Sequence, residues 1–430
     1  MASKSKFISD GLWVAGGQLF AALGMLVGVR LQTEFIPPEV YGEVVLFTGL
    51  STLVLTIICV PYWRGAMIFF GEAASYGLQE RLFGFVRNTV AKYLGITIIL
   101  VLAIGGVYTA VTGGSHWAII AISTLLVIDA ARSVEMAFLN VSRQQRRYAV
   151  WSILEAWSRP ICAVMAVQFL EAKVEVVLAG YVVASTATFS IFRKWALAPS
   201  LQYSDIELDR IKDLNQRLAK YSLPLMPQGL VGWLSALSDR YMLAAIVGLH
   251  EAGIYSAIYG LISRPFLMAQ SVSELTIQPM YFHAVATRES QAETVIFKRW
   301  ILVNAAIGIA VLTLCIGASD IIAMYLLGPA YSSSAHLIPY LAVGHLFLIV
   351  GYGLNGYLYA HQYTRQIFFF DCLAAALSLG IGPFAMYSFG VVGAAITCAV
   401  TYMIRMIAVA IFVYRKRGAS QYPELEGGLL

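Results

Sequence analysis

The 430-residue sequence predicts an all-α polytopic membrane protein, with twelve transmembrane helices arranged as two six-helix lobes. Three observations predict it. Hydrophobic residues make up 59% of the chain and charged residues only 12%, about half the charge of an ordinary soluble domain, and mean hydropathy is +0.73. Apolar stretches of ~20 residues recur, the length that crosses ~30 Å of hydrocarbon. The polar breaks between them alternate between strongly basic and nearly uncharged.

Taken in order, the first span is read at 9–31. Lys4 and Lys6 precede it as in a signal peptide, but the apolar run continues to about Val29 without a small-residue cleavage site, so the sequence predicts an uncleaved helix. Spans at 43–64, 88–110, 117–140, 148–170 and 174–194 complete an N-terminal lobe, residues 1–194. The longest polar break, 195–220, is the linker. Its segment "DIELDRIKDLNQRLAK" sets Ile211, Leu214 and Leu218 at helical spacing among charges, the pattern of an amphipathic interfacial helix, with a solvated linker as the alternative. Spans at 221–249, 253–282, 299–318, 335–360, 367–387 and 390–414 form the second lobe, 221–414, followed by a cytoplasmic tail, 415–430. Breaks as short as "VTGGSH" and "YSFGVVG" imply antiparallel hairpins. One set of alternate breaks holds 20 of the 29 Lys and Arg, whereas the other holds only Lys173. That bias places the basic set, and both termini, in the cytoplasm. "IPPEVYGEVVLF" after span one and "GLHEAGIYSAIYG" after span seven hint at a repeat of one lobe in the other, as transporters commonly show.

Composition also excludes. The five cysteines, Cys59, Cys162, Cys315, Cys372 and Cys398, fall in apolar runs without ligand spacing, and the six histidines are scattered. No metal, cofactor or disulfide is expected. The chain has no G-x-S-x-G, HExxH or GxxxxGK[ST] motif, and its outer breaks are too short for a catalytic domain, so no enzyme is expected. Nor is a nucleic-acid partner.

The informative residues are charges inside spans, each costing about 2.5–3.5 kcal/mol at a helix centre. In "WLSALSDRYMLAAIVG", Asp239 and Arg240 sit near mid-depth. Being adjacent, they point ~100° apart, so they are not expected to neutralise each other across a turn, and each should face protein or water. In the fourth span Asp129, Arg132 and Met136 share a face, with Glu135 one turn on from Arg132. In the fifth, Glu155 and Arg159 are four apart and can pair. In the eighth, Arg264, Ser271, Glu274 and Gln278 form a polar stripe flanked by Pro265 and Pro279. Asp371 and Arg405 lie in the cytoplasmic halves of the last two spans, and Arg30, Arg64 and Arg405 are close enough to span ends to snorkel. In the tenth span His345, Tyr352, Asn355 and Tyr359 fall on one face, suited either to sugar hydroxyls and pyranose faces or to bonding between helices. Any single charge could serve packing. Their spread over at least five spans points to a pathway.

Several stretches resemble the polysaccharide-biosynthesis (Wzx-type) flippases of the MOP superfamily, relatives of lipid II flippases and MATE exporters. They are "FIPPEVYGEVVLF", "YLLGPAY", "FGVVGAAI" and above all the Tyr221/Pro224, Asp239-Arg240, Gly253/Tyr255 series. The absence of two further spans favours the Wzx branch. The resemblance implies a bacterial inner-membrane flippase that moves undecaprenyl-diphosphate-linked oligosaccharide to the periplasmic leaflet by alternating access, with a polysaccharide polymerase machinery in the same lipid bilayer as a candidate partner. It implies Arg64 and Arg264 as diphosphate-binding residues by position. The charge reading adds Arg132, Arg159 and Arg240, assigns sugar contact to His345, Tyr352, Asn355 and Tyr359, and assigns Asp129, Asp239 and Glu274 to resting ion pairs or ion coupling. The alternatives are a MATE-like exporter of small cations, which wants an acidic or aromatic cavity, and a membrane-embedded polymerase or ligase.

Overall fold

We describe residues 2–196 and 205–421 of a computed structural model of the chain. The helices are α1 (Ala2–Phe35), α2 (Pro38–Val54), α3 (Val60–Ser75), α4 (Gln79–Thr112), α5 (His116–Val141), α6 (Gln145–Phe169), α7 (Val174–Ala196), α8 (Asp205–Ser222), α9 (Met226–Ile246) and α10 (Leu249–Ala286). They continue with α11 (Ser290–Gly317), α12 (Ser319–Leu326), α13 (Pro329–Ser332), α14 (Leu337–Ala360), α15 (Thr364–Phe389) and α16 (Val391–Gln421). A π-helical turn, Leu55–Cys59, joins α2 to α3, and a 3-10 turn, Leu223–Leu225, joins α8 to α9. No strand occurs among the described residues. Linker positions 197–204, tail positions 422–430 and the side chains of Lys4 and Lys6 lie outside the described residues.

Ten of the twelve apolar windows fall on one helix each, whereas 43–64 covers α2, the π-helical turn and the start of α3, and 221–249 runs from the end of α8 through the 3-10 turn and α9 to the first residue of α10. Nine of the described helical segments are long and apolar enough to cross a membrane. α9 and α10 fall outside that group because Asp239, Arg240, Arg264 and Glu274 interrupt their apolar runs. The second window, expected at 43–64, belongs to one continuous helical segment, Pro38–Ser75. The residues past Arg64 stay helical because they pack on α8 rather than ending at the membrane surface. Tight hairpins end at left-handed glycines: Gly113 (φ 72°) closes α4 by donating its N–H to the Thr109 carbonyl at 2.9 Å, and Gly390 (φ 60°) separates α15 from α16.

The chain divides into two compact units, 1–233 and 234–430. In the first, α1 runs along α6 on a seam of small residues. Gly17 abuts Ala149, Gly24 abuts Trp157 and Gly28 abuts Pro160, with no room for a Cβ at any of the three glycines. Trp157 donates its indole N–H to the Phe20 carbonyl at 3.0 Å. Lipid is as apolar as leucine, so helices in membranes gain most from close approach of this kind.

Residues 210–233 run antiparallel along the second helical segment of the same unit. The Trp233 indole N–H donates to the Gly49 carbonyl at 2.7 Å, and Gly229 lies on the backbone of the π-turn at Thr56 and Ile57. Ser222 donates to the Pro61 carbonyl at 3.1 Å. Arg217 grips Glu72 through two nitrogens, at 2.5 and 3.2 Å, and the Arg210 guanidinium lies 4.3 Å from the Tyr76 ring. The apolar face of α8, Ile211, Leu214 and Leu218, is buried in a cluster with Leu82, Phe83 and Val86 of α4. The helix is amphipathic as the sequence predicts, and α3 and α4 supply the apolar surface that covers its apolar face. The Glu72 carboxylate holds the Arg217 guanidinium charged above its ordinary range.

In the second unit α14 is central, packed on α10, α11 and α16. Its glycines admit bulk from neighbours: Trp300 against Gly356, Asn304 against Gly353, Ala399 against Gly344. Leu218 is fully buried at the α8 contact, so Leu218→Ala should cost about 2–4 kcal/mol and lower the thermal midpoint of the purified protein in detergent. An unchanged midpoint would show that α8 is not docked.

Candidate functional site

Each unit contains a cluster of charges inside its spans. In the first, α5 contributes Asp129 and Arg132, α6 contributes Glu155 and Arg159, and α7 contributes Ser185 and Thr188. Arg159 pairs with Asp129, and its Nε lies 2.6 Å from Glu155 and donates to Ser185 Oγ at 2.9 Å. Ser185 and Thr188 donate to the two oxygens of Glu155 at 3.0 and 2.6 Å. Both carboxylates are buried. The predicted i,i+4 pair of Glu155 with Arg159 is therefore present. Arg132 is held more loosely, its Nε 3.4 Å from Asp129 and 3.7 Å from Glu155. Two cations and two anions make the cluster neutral, which offsets the desolvation that each charge would suffer alone.

Glu135, one turn beyond Arg132, turns away and takes Arg87 of α4 in a fork at 2.6 and 2.9 Å. Arg87 reads in the sequence as a loop charge, and no spacing rule links it to Glu135 across 48 positions. Ser185 and Thr188, three apart in "ASTATFS", give a weak signal that a polar partner is near.

In the second unit Asp239 and Arg240 do pair, contrary to the helical-wheel expectation. Arg240 folds back along its own helix so that one guanidinium nitrogen meets Asp239 Oδ1 at 3.1 Å and donates to the Ala236 carbonyl at 2.8 Å. The same Oδ1 accepts the Arg240 backbone N–H at 2.9 Å. Wheel angles describe where a Cβ points, and an arginine stem is long enough to undo an offset of ~100°. Tyr255 donates to the other Asp239 oxygen at 2.6 Å, while the Arg240 guanidinium lies 4.2 Å from the Tyr259 ring centroid. The Tyr259 and Tyr402 hydroxyls meet at 3.0 Å.

His345 joins this cluster rather than an open face. It is 0% exposed, its ring lies 4.8 Å from Tyr259, and Nδ1 is 2.8 Å from the Leu341 carbonyl. Asn355 is also buried, Tyr352 is half-buried and Tyr359 is 51% exposed. The four share a sequence face, but the neighbouring helices α10 and α16 cover its upper half, so the structure does not present them as one surface.

Arg405 pairs with Asp371 at 2.7 Å and is nearly buried, so it does not snorkel; Gly351 leaves room beside its guanidinium. Arg30 pairs with Glu34. Arg64 is exposed, its guanidinium 5.9 Å from the Trp63 ring, and no carboxylate lies within ion-pair distance among the described residues. Arg264 is half-buried on α10. On the same helix Glu274, also half-buried, accepts a 2.8 Å hydrogen bond from Gln270. Ser271 donates back to the Leu267 carbonyl, so the polar stripe is partly bonded to its own backbone. Tyr352 is within electrostatic reach of Glu274, Asp371 and Arg405. No group of three metal-ligating side chains occurs among the described residues.

No family model matches the chain, and no curated protein matches it. Solved structures do. A lipid II flippase, MurJ, in an inward closed conformation superposes with a TM-score of 0.68 at 12% identity, over 93% of this chain and 86% of that one. An inward-facing MATE family multidrug transporter of the MOP superfamily gives 0.68 at 14% identity, over 97% and 95%. The MATE multidrug transporter DinF-BH, in a ligand complex, gives 0.67 at 13% identity, over 96% of each chain. A MOP superfamily transporter from Pyrococcus furiosus, noted for a binding pocket of reversed polarity, gives 0.56 at 14% identity, over 97% and 92%.

The buried pair sets a test. Asp239→Ala strands Arg240 in apolar surroundings and should cost about 3–5 kcal/mol, read as a lowered thermal midpoint. Asp239→Ala with Arg240→Met should recover most of that loss. Equal stability of the single variant and the parent would show that the pair does not hold the unit together. At this level of identity the superpositions establish one thing, that the chain has the fold of the MOP superfamily transporters.

Proposed function

We propose that this protein is a flippase that carries undecaprenyl-diphosphate-linked oligosaccharide from the cytoplasmic to the periplasmic leaflet of a bacterial inner membrane by alternating access. On this reading its twelve long helical segments span the bilayer as two six-helix lobes, 1–194 and 221–414, with both termini cytoplasmic. A polysaccharide polymerase machinery would take the delivered product.

The observation that carries the proposal is the balance of charge inside the spans. Asp129, Glu135, Glu155, Asp239 and Asp371 are each paired with an arginine, so none of them is left to attract a cation. Arg64 has no such partner among the described residues. A guanidinium can offer two parallel hydrogen bonds to a phosphate and offset its dehydration. Arg64 and Arg264 are the residues we assign first to the diphosphate. Arg132, loosely held, is next. Arg159 and Arg240 are committed to carboxylates and serve the pairs. Tyr352 and Tyr359 keep accessible surface for sugar, whereas His345 and Asn355 support the helix packing. Of the three carboxylates assigned to coupling, Asp129 and Asp239 are neutralised, which leaves Glu274, held by an amide, as the one able to exchange an ion.

A MATE-like exporter is the second reading, favoured by the similarity to two multidrug transporters. The reversed pocket polarity of the Pyrococcus furiosus transporter supports the view that pockets in this fold differ in polarity and function. The two readings separate in proteoliposomes holding lipid-diphosphate oligosaccharide in one leaflet. Protein-dependent movement is expected, and Arg64→Ala or Arg264→Ala should slow it about tenfold to a hundredfold, the loss of one charge-assisted contact. Cation-driven dye efflux without lipid movement would establish the exporter instead. Glu274→Gln should abolish the response of transport to an ion gradient while leaving downhill movement.

A further inference from the structure

The outer connection between α11 and α14 is a built element with an unexplained face. α12 exposes Ile321, Met324 and Tyr325 at 59%, 60% and 65%. These residues, at i, i+3 and i+4, form one apolar stripe. The opposite side of α12 is buried at Ala323, and the chain that follows it is buried at Leu327 and at Tyr331 of α13. The stripe is therefore presented by a firmly seated helix. Asp320 is the one formal charge between 318 and 335, and the segment carries no Lys or Arg.

Depth identifies what covers this face. On the orientation proposed above, on which this inference rests, Lys298 and Arg299 mark the cytoplasmic edge of α11, and from Trp300 to Gly317 the helix rises about 27 Å at 1.5 Å per residue. That nearly matches the ~30 Å hydrocarbon thickness, so Ser319, the first residue of α12, begins at the outer boundary. α11 exposes Ile309, Leu314 and Ile316 as it approaches that point, and α12 follows after Ala318. A short helix fixed at this depth cannot reach bulk water with its apolar side.

We propose that α12 is an in-plane anchor in the outer-leaflet interface, with Ile321, Met324 and Tyr325 at the boundary between acyl chains and headgroups. Tyrosine is suited to that boundary, with its ring among chains and its hydroxyl among headgroups. The occupant is lipid of zwitterionic or weakly charged headgroup, because the segment has no cation to select an anionic one.

The test uses spin labels at Asp320→Cys, Ile321→Cys, Met324→Cys and Tyr325→Cys, in a chain whose five native cysteines are replaced by alanine, reconstituted in phosphatidylcholine vesicles. Oxygen should collide with the labels at 321, 324 and 325 more often than a water-soluble nickel chelate does, with the order reversed at 320. The chelate prevailing at all four positions would place α12 in water and overturn the proposal. Suppression of both relaxers at 321, 324 and 325 would show a protein cover, a second copy included, and would overturn it equally. Should the cysteine-free chain not fold, a photoreactive benzoylphenylalanine at Met324 in the otherwise native chain decides the same question. A lipid adduct supports the anchor, and a cross-linked dimer or no adduct refutes it.

Discussion

A charge inside hydrocarbon must be paired or wet, and the architecture of both units follows from how this chain meets that demand. Desolvating one carboxylate or guanidinium costs several kcal/mol. Among the described residues Asp129, Glu135, Glu155 and Asp371 each take an arginine from another helix, and Asp239 takes its neighbour Arg240. Arg159 reaches from α6 to Asp129 on α5, hydroxyls from α7 complete Glu155, and Arg87 reaches from α4 to Glu135. Four neighbouring helices are thereby tied through polar contacts that cannot slide without exposing a charge to lipid. The second unit does the same with fewer charges and more aromatic rings. Asp239 and Arg240 are enclosed by Tyr255, Tyr259 and Tyr402, and Arg405 joins α16 to Asp371 on α15.

Such pairs fix where helices go, while small residues fix how close they come. Association in lipid lacks the hydrophobic drive that works in water, so the gain comes from contact area and from bonds. The α1–α6 seam and the glycines of α14 supply the first. In the charge-rich α8 the packing is that of an ordinary amphipathic helix: its stripe of Ile211, Leu214 and Leu218 is buried against α3 and α4.

The long helices were legible in the sequence because about twenty consecutive apolar residues have no other stable destination, and ten of the twelve apolar windows fall on one helix each. The i,i+4 pair of Glu155 and Arg159 was legible for a similar reason, since helical geometry alone brings those side chains together. Contacts between helices were not. Nothing in the sequence says that Glu135 meets Arg87 rather than Arg132, because that choice depends on the rotation of α4 against α5. The same limit explains His345, whose face was correctly placed but whose coverage by Tyr259 and Tyr402 is a matter of tertiary packing. The Asp239–Arg240 pair failed for a different reason: the angular rule treats side chains as short spokes, and arginine is not one.

The pairing also bears on what the fold can carry. A carboxylate already matched to a guanidinium presents a dipole to a passing cation, whose field falls off faster than that of a charge, and at an effective dielectric near ~20 the attraction fades within a few ångströms. Neutral clusters are thus poor cation sites even when they are rich in acids. An unmatched guanidinium keeps its full field. Counting acids and bases in the spans gives near balance and decides little. Among the described residues Arg64 is an in-span arginine with no carboxylate at ion-pair distance, and Glu274 is an in-span acid that accepts from an amide. On the proposed function, the first would answer an anionic cargo and the second a small cation or a proton. A transporter that exchanges the two needs a site of each kind, and pairing elsewhere is what leaves these sites distinguishable from the rest.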